Sequence, residues 1–126
     1  MNSKFNLMIA LLVFSTMFVS ATGAEFTKQF RKGWTKSSVT ALRIINKFGE
    51  VKINDTGGDS VTVKVLITID NASESKAKDL MNKIQIDIQK SGSQVIAETK
   101  IEDDFRSKES FTIDYLVNIP KDRELN

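Results

Sequence analysis

The sequence predicts a mainly β domain of the α+β kind. The expected form is an antiparallel sheet in the order β-β-β-α-β-β-β, with one amphipathic helix packed on it. Three observations carry that prediction. From Val39 to Ile119 most runs alternate apolar and polar residues, the period of a half-buried strand. Between Ala77 and Ile84 the apolar spacing changes to i, i+3, i+4 and i+7, the stripe of a helix. Short turns rich in Gly, Asn and Asp separate the runs, and tight connections favour antiparallel neighbours.

Residues 1–24 precede this pattern and read as an export signal. Lys4 gives a short positive start, Phe5 to Val19 is almost continuously apolar, and small residues follow from Ser20 to Ala24. Cleavage is expected after Ala21 or Ala24, since both place small or aliphatic residues at −3 and −1. The apolar run falls short of the roughly 20 residues that a spanning helix needs. Removing the signal leaves 102 of the 126 residues, with seventeen Lys and Arg against sixteen Asp and Glu.

That remainder suits one small globular domain burying roughly two-thirds of its unfolded surface, and it excludes a multidomain enzyme. The chain has neither Cys nor His. This excludes a disulfide framework, thiolate or imidazole metal sites, catalysis by either side chain, and the cysteine that lipoprotein processing requires. A net charge near +1 argues against a strongly basic nucleic-acid binder, and no nucleic-acid partner is expected. The expected location is the periplasm, the outer surface or the medium. Membrane contact is expected only through the signal before cleavage.

Residues 25–38 form a basic and aromatic leading segment. Phe26, Phe30 and Trp34 are spaced by four, which puts them on one face of a helix and equally on one face of a strand. Gly33 and the Thr/Ser cluster after it weigh against a long helix. The candidate docking residues for an anionic envelope surface are Lys28, Phe30, Arg31, Lys32 and Trp34. The plainer reading is a leading strand whose aromatics pack and whose lysines point to water.

The β-rich domain is expected over 39–126. Leu42 and Ile44 alternate in the first run, Asn46-Lys47-Phe48-Gly49 makes a turn, and Val51 and Ile53 alternate in the second. Asp55-Thr56-Gly57-Gly58-Asp59 is the strongest turn signal. Beyond it Val61, Val63, Val65, Ile67 and Ile69 line one face, with Leu66 the apolar exception on the other. The helix is expected over Ala72 to Lys83, capped by Asn71 with Glu74 completing a capping box, and with Lys76, Lys78 and Asp79 in water. Alternation returns at Ile84, Ile86 and Ile88, turns at Ser91-Gly92, and resumes at Val95, Ala97, Thr99 and Ile101. After a charged loop from Glu102 to Lys108, the last strand carries Phe111, Ile113, Tyr115, Val117 and Ile119 and ends at Pro120. Lys121 to Asn126 is a polar tail without a closing element.

The sequence is poor in chemistry. No Gly-x-Ser-x-Gly elbow and no phosphate loop occur. Ser73 and Lys76 have the spacing of a Ser–Lys pair but fall at a solvated helix start. Glu102, Asp103 and Asp104 are candidate Ca²⁺ ligands, as are Asp55 and Asp59, yet neither set has the EF-hand spacing. Nothing marks a sugar-binding cleft between paired carboxylates, and only Trp34 and Tyr115 could stack on a ring. No cofactor, no metal and no enzymatic activity are expected.

The stretch Leu42-Arg43-Ile44-Ile45-Asn46-Lys47-Phe48-Gly49-Glu50-Val51-Lys52-Ile53 resembles the strand–turn–strand signature of a bacterial family. These are exported β-strand-repeat domains labelled adhesins and otherwise of unknown function. Asp59-Ser60-Val61, the short helix, Ile86 and Ile88, Val95 to Thr99 and Ile119-Pro120 follow the same plan, so that the resemblance covers most of 38–126. It implies the leading module of a β-solenoid-like repeat body, incomplete at its C-terminus. The next strand would begin near Glu124-Leu125-Asn126. The implied function is an adhesin-like binding or structural module of the cell envelope or surface. Its partner would be an unknown envelope protein or polymer, or a second copy through an open sheet edge. The alternative is a periplasmic sensory or regulatory partner of an envelope-stress (sigma/anti-sigma) system.

Overall fold

The computed structural model describes residues 12–19, 25–56, 58–106, 109–120 and 124–125. Lys4, the cleavage positions Ala21 and Ala24, Gly57 of the glycine turn, Lys108 and the tail residues 121–123 and 126 lie outside them. The strands in chain order are β1 (Leu12–Val19), β2 (Phe26–Thr35), β3 (Ala41–Ile45), β4 (Val51–Thr56) and β5 (Ser60–Ile69). After the helix α1 (Glu74–Asn82) come β6 (Ile84–Ser91), β7 (Gln94–Ile101), β8 (Phe111–Pro120) and the two-residue β9 (Glu124–Leu125). The protein is mainly β with one helix, as expected, but it is built from two mixed sheets.

One sheet has the order β1-β2-β5-β8-β4 and the other β6-β7-β3-β9. The pairs β1/β2, β2/β5, β5/β8 and β6/β7 are antiparallel, whereas β4/β8, β3/β7 and β3/β9 are parallel. The antiparallel expectation fails at β3 and β4 because the turn between them is not a hairpin. Asn46–Gly49 carries the chain from the four-stranded sheet into the five-stranded one. The glycine turn likewise joins β4 and β5, which flank β8 without pairing with each other. The Ser91-Gly92 turn is a true hairpin: Gly92 has φ +61° and Ser91 lies opposite Gln94.

Alternation places the core. Val61, Val63, Val65, Ile67 and Ile69 of β5 are fully buried. They share one continuous core with Leu42 of β3, Val95 and Ala97 of β7 and Ile113 and Val117 of β8. Each of these valine, leucine and isoleucine side chains contributes roughly 1.5–3 kcal/mol by leaving water. Thus the two sheets cover each other, and the helix packs on them, as expected, at one side only. A helix of nine residues is only about 13 Å long, too short to shield five strands. It packs beside β2 and β6, burying Ala77, Leu80 and Met81 in the seam.

The cap also differs from the expected one. Ser73, not Asn71, accepts from the Lys76 amide at 3.1 Å. Asn71 has φ +60°, the left-handed conformation, and turns the chain into the helix. Lys78–Glu74 and Lys83–Asp79 pairs line the wet face. The tail does hold an element: β9 runs parallel beside β3, with Ala41 opposite Glu124 and Leu42 opposite Leu125.

Candidate functional site

The basic segment is strand β2, between β1 and β5. Its even-numbered residues lie opposite Ile69, Ile67, Val65, Val63 and Val61, so Phe26, Lys28, Phe30, Lys32 and Trp34 all face inward. This corrects the expectation that its lysines point to water. The period of two that buries the aromatics carries Lys28 and Lys32 to the same face. Trp34 is 3 % exposed, which removes it from any docking surface. Lys32 Nζ donates to the Ile88 carbonyl at 2.7 Å, and Lys28 Nζ lies 5.1 Å from the Phe30 ring centre. Arg31 faces out and is exposed. Clefts of about 470 and 310 Å³ open here between β2 and β6, both lined by Phe30 and Ile86. Lys28 and Lys32 on this face have the partners just given, and Lys100 on the rim pairs with Asp87 at 3.3 Å.

The acidic loop is not brought together as a cation site. Among the described residues no group of acidic side chains converges to hold a metal. Asp104 pairs with Lys83 at 3.4 Å, while Glu102 uses its backbone to receive Phe105 and reach Lys83. Asp103 is exposed, and its carbonyl accepts from the Arg106 guanidinium at 3.0 Å. Asp55 lies on β4, and the Asp59 carbonyl accepts from Lys36. Ser73 and Lys76 belong to the helix cap, and Lys76 Nζ reaches the Arg106 carbonyl instead of the Ser73 hydroxyl.

The turn signature is a corner clamped onto β8. Asn46 Nδ2 donates to the Ile113 carbonyl at 2.9 Å, and the Phe48 carbonyl accepts from Ile113. The Phe48 ring packs on Phe111 with centres 6.2 Å apart. The Glu50 amide donates to Asp114 Oδ1, and its carbonyl accepts from Tyr115. A Cβ at Gly49 would collide with the Ile113 carbonyl and the Asp114 carboxylate, so only glycine fits. Lys47 is exposed at the tip.

What this corner positions is β4, the outermost described strand on its side of the five-stranded sheet. Val51 and Ile53 lie opposite Tyr115 and Val117, whose side chains are buried, so both face the core side. Yet they are 38 % and 43 % exposed, the exposed large hydrophobics among the described residues. The facing sheet ends there in β3 and the two-residue β9. Tyr115, opposite Val51, bonds the Glu50 carbonyl, which turns the Glu50, Lys52 and Asn54 backbone toward β8. The amides and carbonyls of Val51, Ile53 and Asp55 then point away from the sheet. On the outer face beside this strand, Leu66 and Leu116 floor a depression of about 220 Å³ between Lys52 and Lys64.

Two features of this end escape local sequence reading. The run from Val51 to Ile53 looks like any half-buried strand, because nothing local says which strand ends a sheet. The Thr99 and Tyr115 hydroxyls meet at 2.7 Å across the two sheets. Their signal was present: each is the one polar interruption of an otherwise apolar face. Burial holds the Tyr115 hydroxyl above its ordinary pKa, opposed by the Thr99 hydrogen bond and helped by nearby Glu98.

No family model, curated protein or solved structure matches this chain.

Proposed function

We propose that this chain is an exported, non-enzymatic module of the cell envelope or surface that binds by strand addition along β4. The observation that carries the reading is the unguarded edge: core-side Val51 and Ile53 exposed beside the free backbone groups of Val51, Ile53 and Asp55. Natural edge strands are blunted by inward charges, prolines or bulges. β4 has none of these on its inner side except Asp55 at its far end. An extended partner segment would gain main-chain bonds there, and its alternate side chains would cover Val51 and Ile53. The winding from β3 through the corner to β4, and from β8 back to β9 beside β3, supports the resemblance to a stacked repeat body. The export half of the reading rests on the layout of residues 1–24.

Two measurements test it. N-terminal sequencing of the product from fractionated cells should begin at Thr22 or Glu25; an intact Met1 product in the cytosol contradicts export. Retention of the chain on isolated envelopes should fall at least about tenfold in a Val51→Lys/Ile53→Lys variant that keeps its circular dichroism. Equal retention of that variant contradicts the β4 edge.

A further inference from the structure

The β4 edge also constrains what can pair with it, and it fits a second copy of itself. We infer that two chains associate antiparallel through β4 about a two-fold axis at Ile53, joining the sheets that carry β4 into one. This rests on β4 being the interaction edge and names its occupant.

Three features carry the register. First, the outward backbone groups belong to Val51, Ile53 and Asp55. An antiparallel two-fold centred on Ile53 sets Ile53 opposite its mate and Val51 opposite the mate's Asp55, so each outward residue meets an outward residue. Second, that register sets Lys52 opposite the mate's Asn54, and no like charges fall opposite one another within the strand. Moving the centre to Lys52 opposes two lysines, and moving it to Asn54 leaves Val51 without an outward partner. Third, it covers Ile53 with Ile53, burying the most exposed large hydrophobic of the described residues against its own copy.

The other edges fit a copy poorly. In the five-stranded sheet β2 is covered by β1. Once residues 1–24 are cleaved, a strand added there would bury the inward ammonium groups of Lys28 and Lys32. In the four-stranded sheet, β6 has Lys32 on its Ile88 carbonyl, and β9 is two residues long. An isologous contact through β4 also closes on itself instead of growing into a filament.

The absence of native cysteine makes the register directly measurable. Single-cysteine chains Ile53→Cys, Lys52→Cys and Asn54→Cys are oxidised mildly and the covalent dimer is followed. Directly opposed residues in a hydrogen-bonded pair stand about 5.5 Å apart at Cα, within disulfide reach. The expected result is rapid cross-linking of Ile53→Cys and at least about tenfold slower cross-linking of the other two, since their mates sit one register step away. Light scattering across a dilution series should give a mass near twice that of the chain for the unaltered protein. An Ile53→Lys variant with unchanged circular dichroism should stay monomeric.

Faster cross-linking of Lys52→Cys or Asn54→Cys overturns the register, and a monomer at every concentration overturns the second copy. These failures are separable from failure of the edge itself. A monomeric protein whose Val51→Lys/Ile53→Lys variant still loses envelope retention keeps β4 as the binding edge for a different strand. Loss of neither association nor retention in that variant overturns both.

Discussion

The Tyr115 hydroxyl is the clearest single-residue handle on the join between the sheets. It is 1 % exposed and reaches Thr99 on the facing sheet at 2.7 Å. Tyr115→Phe strands the Thr99 hydroxyl and is expected to cost about 1–2 kcal/mol at neutral pH, read as a lower urea midpoint. The pH dependence follows from the raised pKa. The folded state holds the phenolic proton more tightly than the unfolded state, so this stability is complete below the unfolded value of about 10. It is lost as pH rises from there through the folded value. Tyr115→Phe should therefore flatten the alkaline limb relative to the parent. Absorbance titration of Tyr115, the chain's only tyrosine, should show ionisation above the ordinary range until unfolding. Gly49 is the second handle. Gly49→Ala drives a methyl into the Ile113 carbonyl and should cost about 1–3 kcal/mol by the same urea measurement.

At the scale of elements, α1 separates two sequence readings that look alike. Asn71 and Ser73 are both good capping types with an acid or amide-bearing turn behind them, and letters alone favour Asn71 with Glu74. The chain must reverse after β5, and Asn71 does this at positive φ, which leaves Ser73 to cap. Ser73→Ala should therefore cost about 1 kcal/mol and speed hydrogen exchange at the Lys76 amide. Unchanged exchange at Lys76 would return the cap to Asn71. The strands themselves were legible because burial on one face leaves a period of two that needs no context. Their pairing was not legible. Asn46-Lys47-Phe48-Gly49 has the composition of a hairpin turn, and only the clamp of Asn46, Phe48 and Glu50 onto β8 makes it a corner between sheets. The same gap hid the meaning of Lys28 and Lys32. Their even spacing was visible, but a charge facing a core is readable only once the strand is placed near a sheet edge.

For the whole molecule, the two ends of the five-stranded sheet are chemically unlike, and this gives the protein a direction. One end carries inward lysines on β2, with β1 beyond it; the other carries exposed Val51 and Ile53 on β4. In a chain that starts at Glu25, Lys28→Val/Lys32→Val should keep the folded state yet promote concentration-dependent aggregation through β2, visible by light scattering. If that variant stays as dispersed as the parent, the lysines are not edge guards. The composition shows a chain with no thiol or imidazole side chain. It holds no trace of the exposed β4 edge, because an edge is a property of topology and appears only when the sheets are assembled. The most direct test is therefore hydrogen exchange along β4, residue by residue, across a dilution series. The predicted result is slow exchange at Lys52 and Asn54 at every concentration. Val51, Ile53 and Asp55 should exchange fast at high dilution and slow down on association. Equal protection of all five amides at every concentration, or exchange at Lys52 and Asn54 as fast as at Val51, would contradict an open β4 edge.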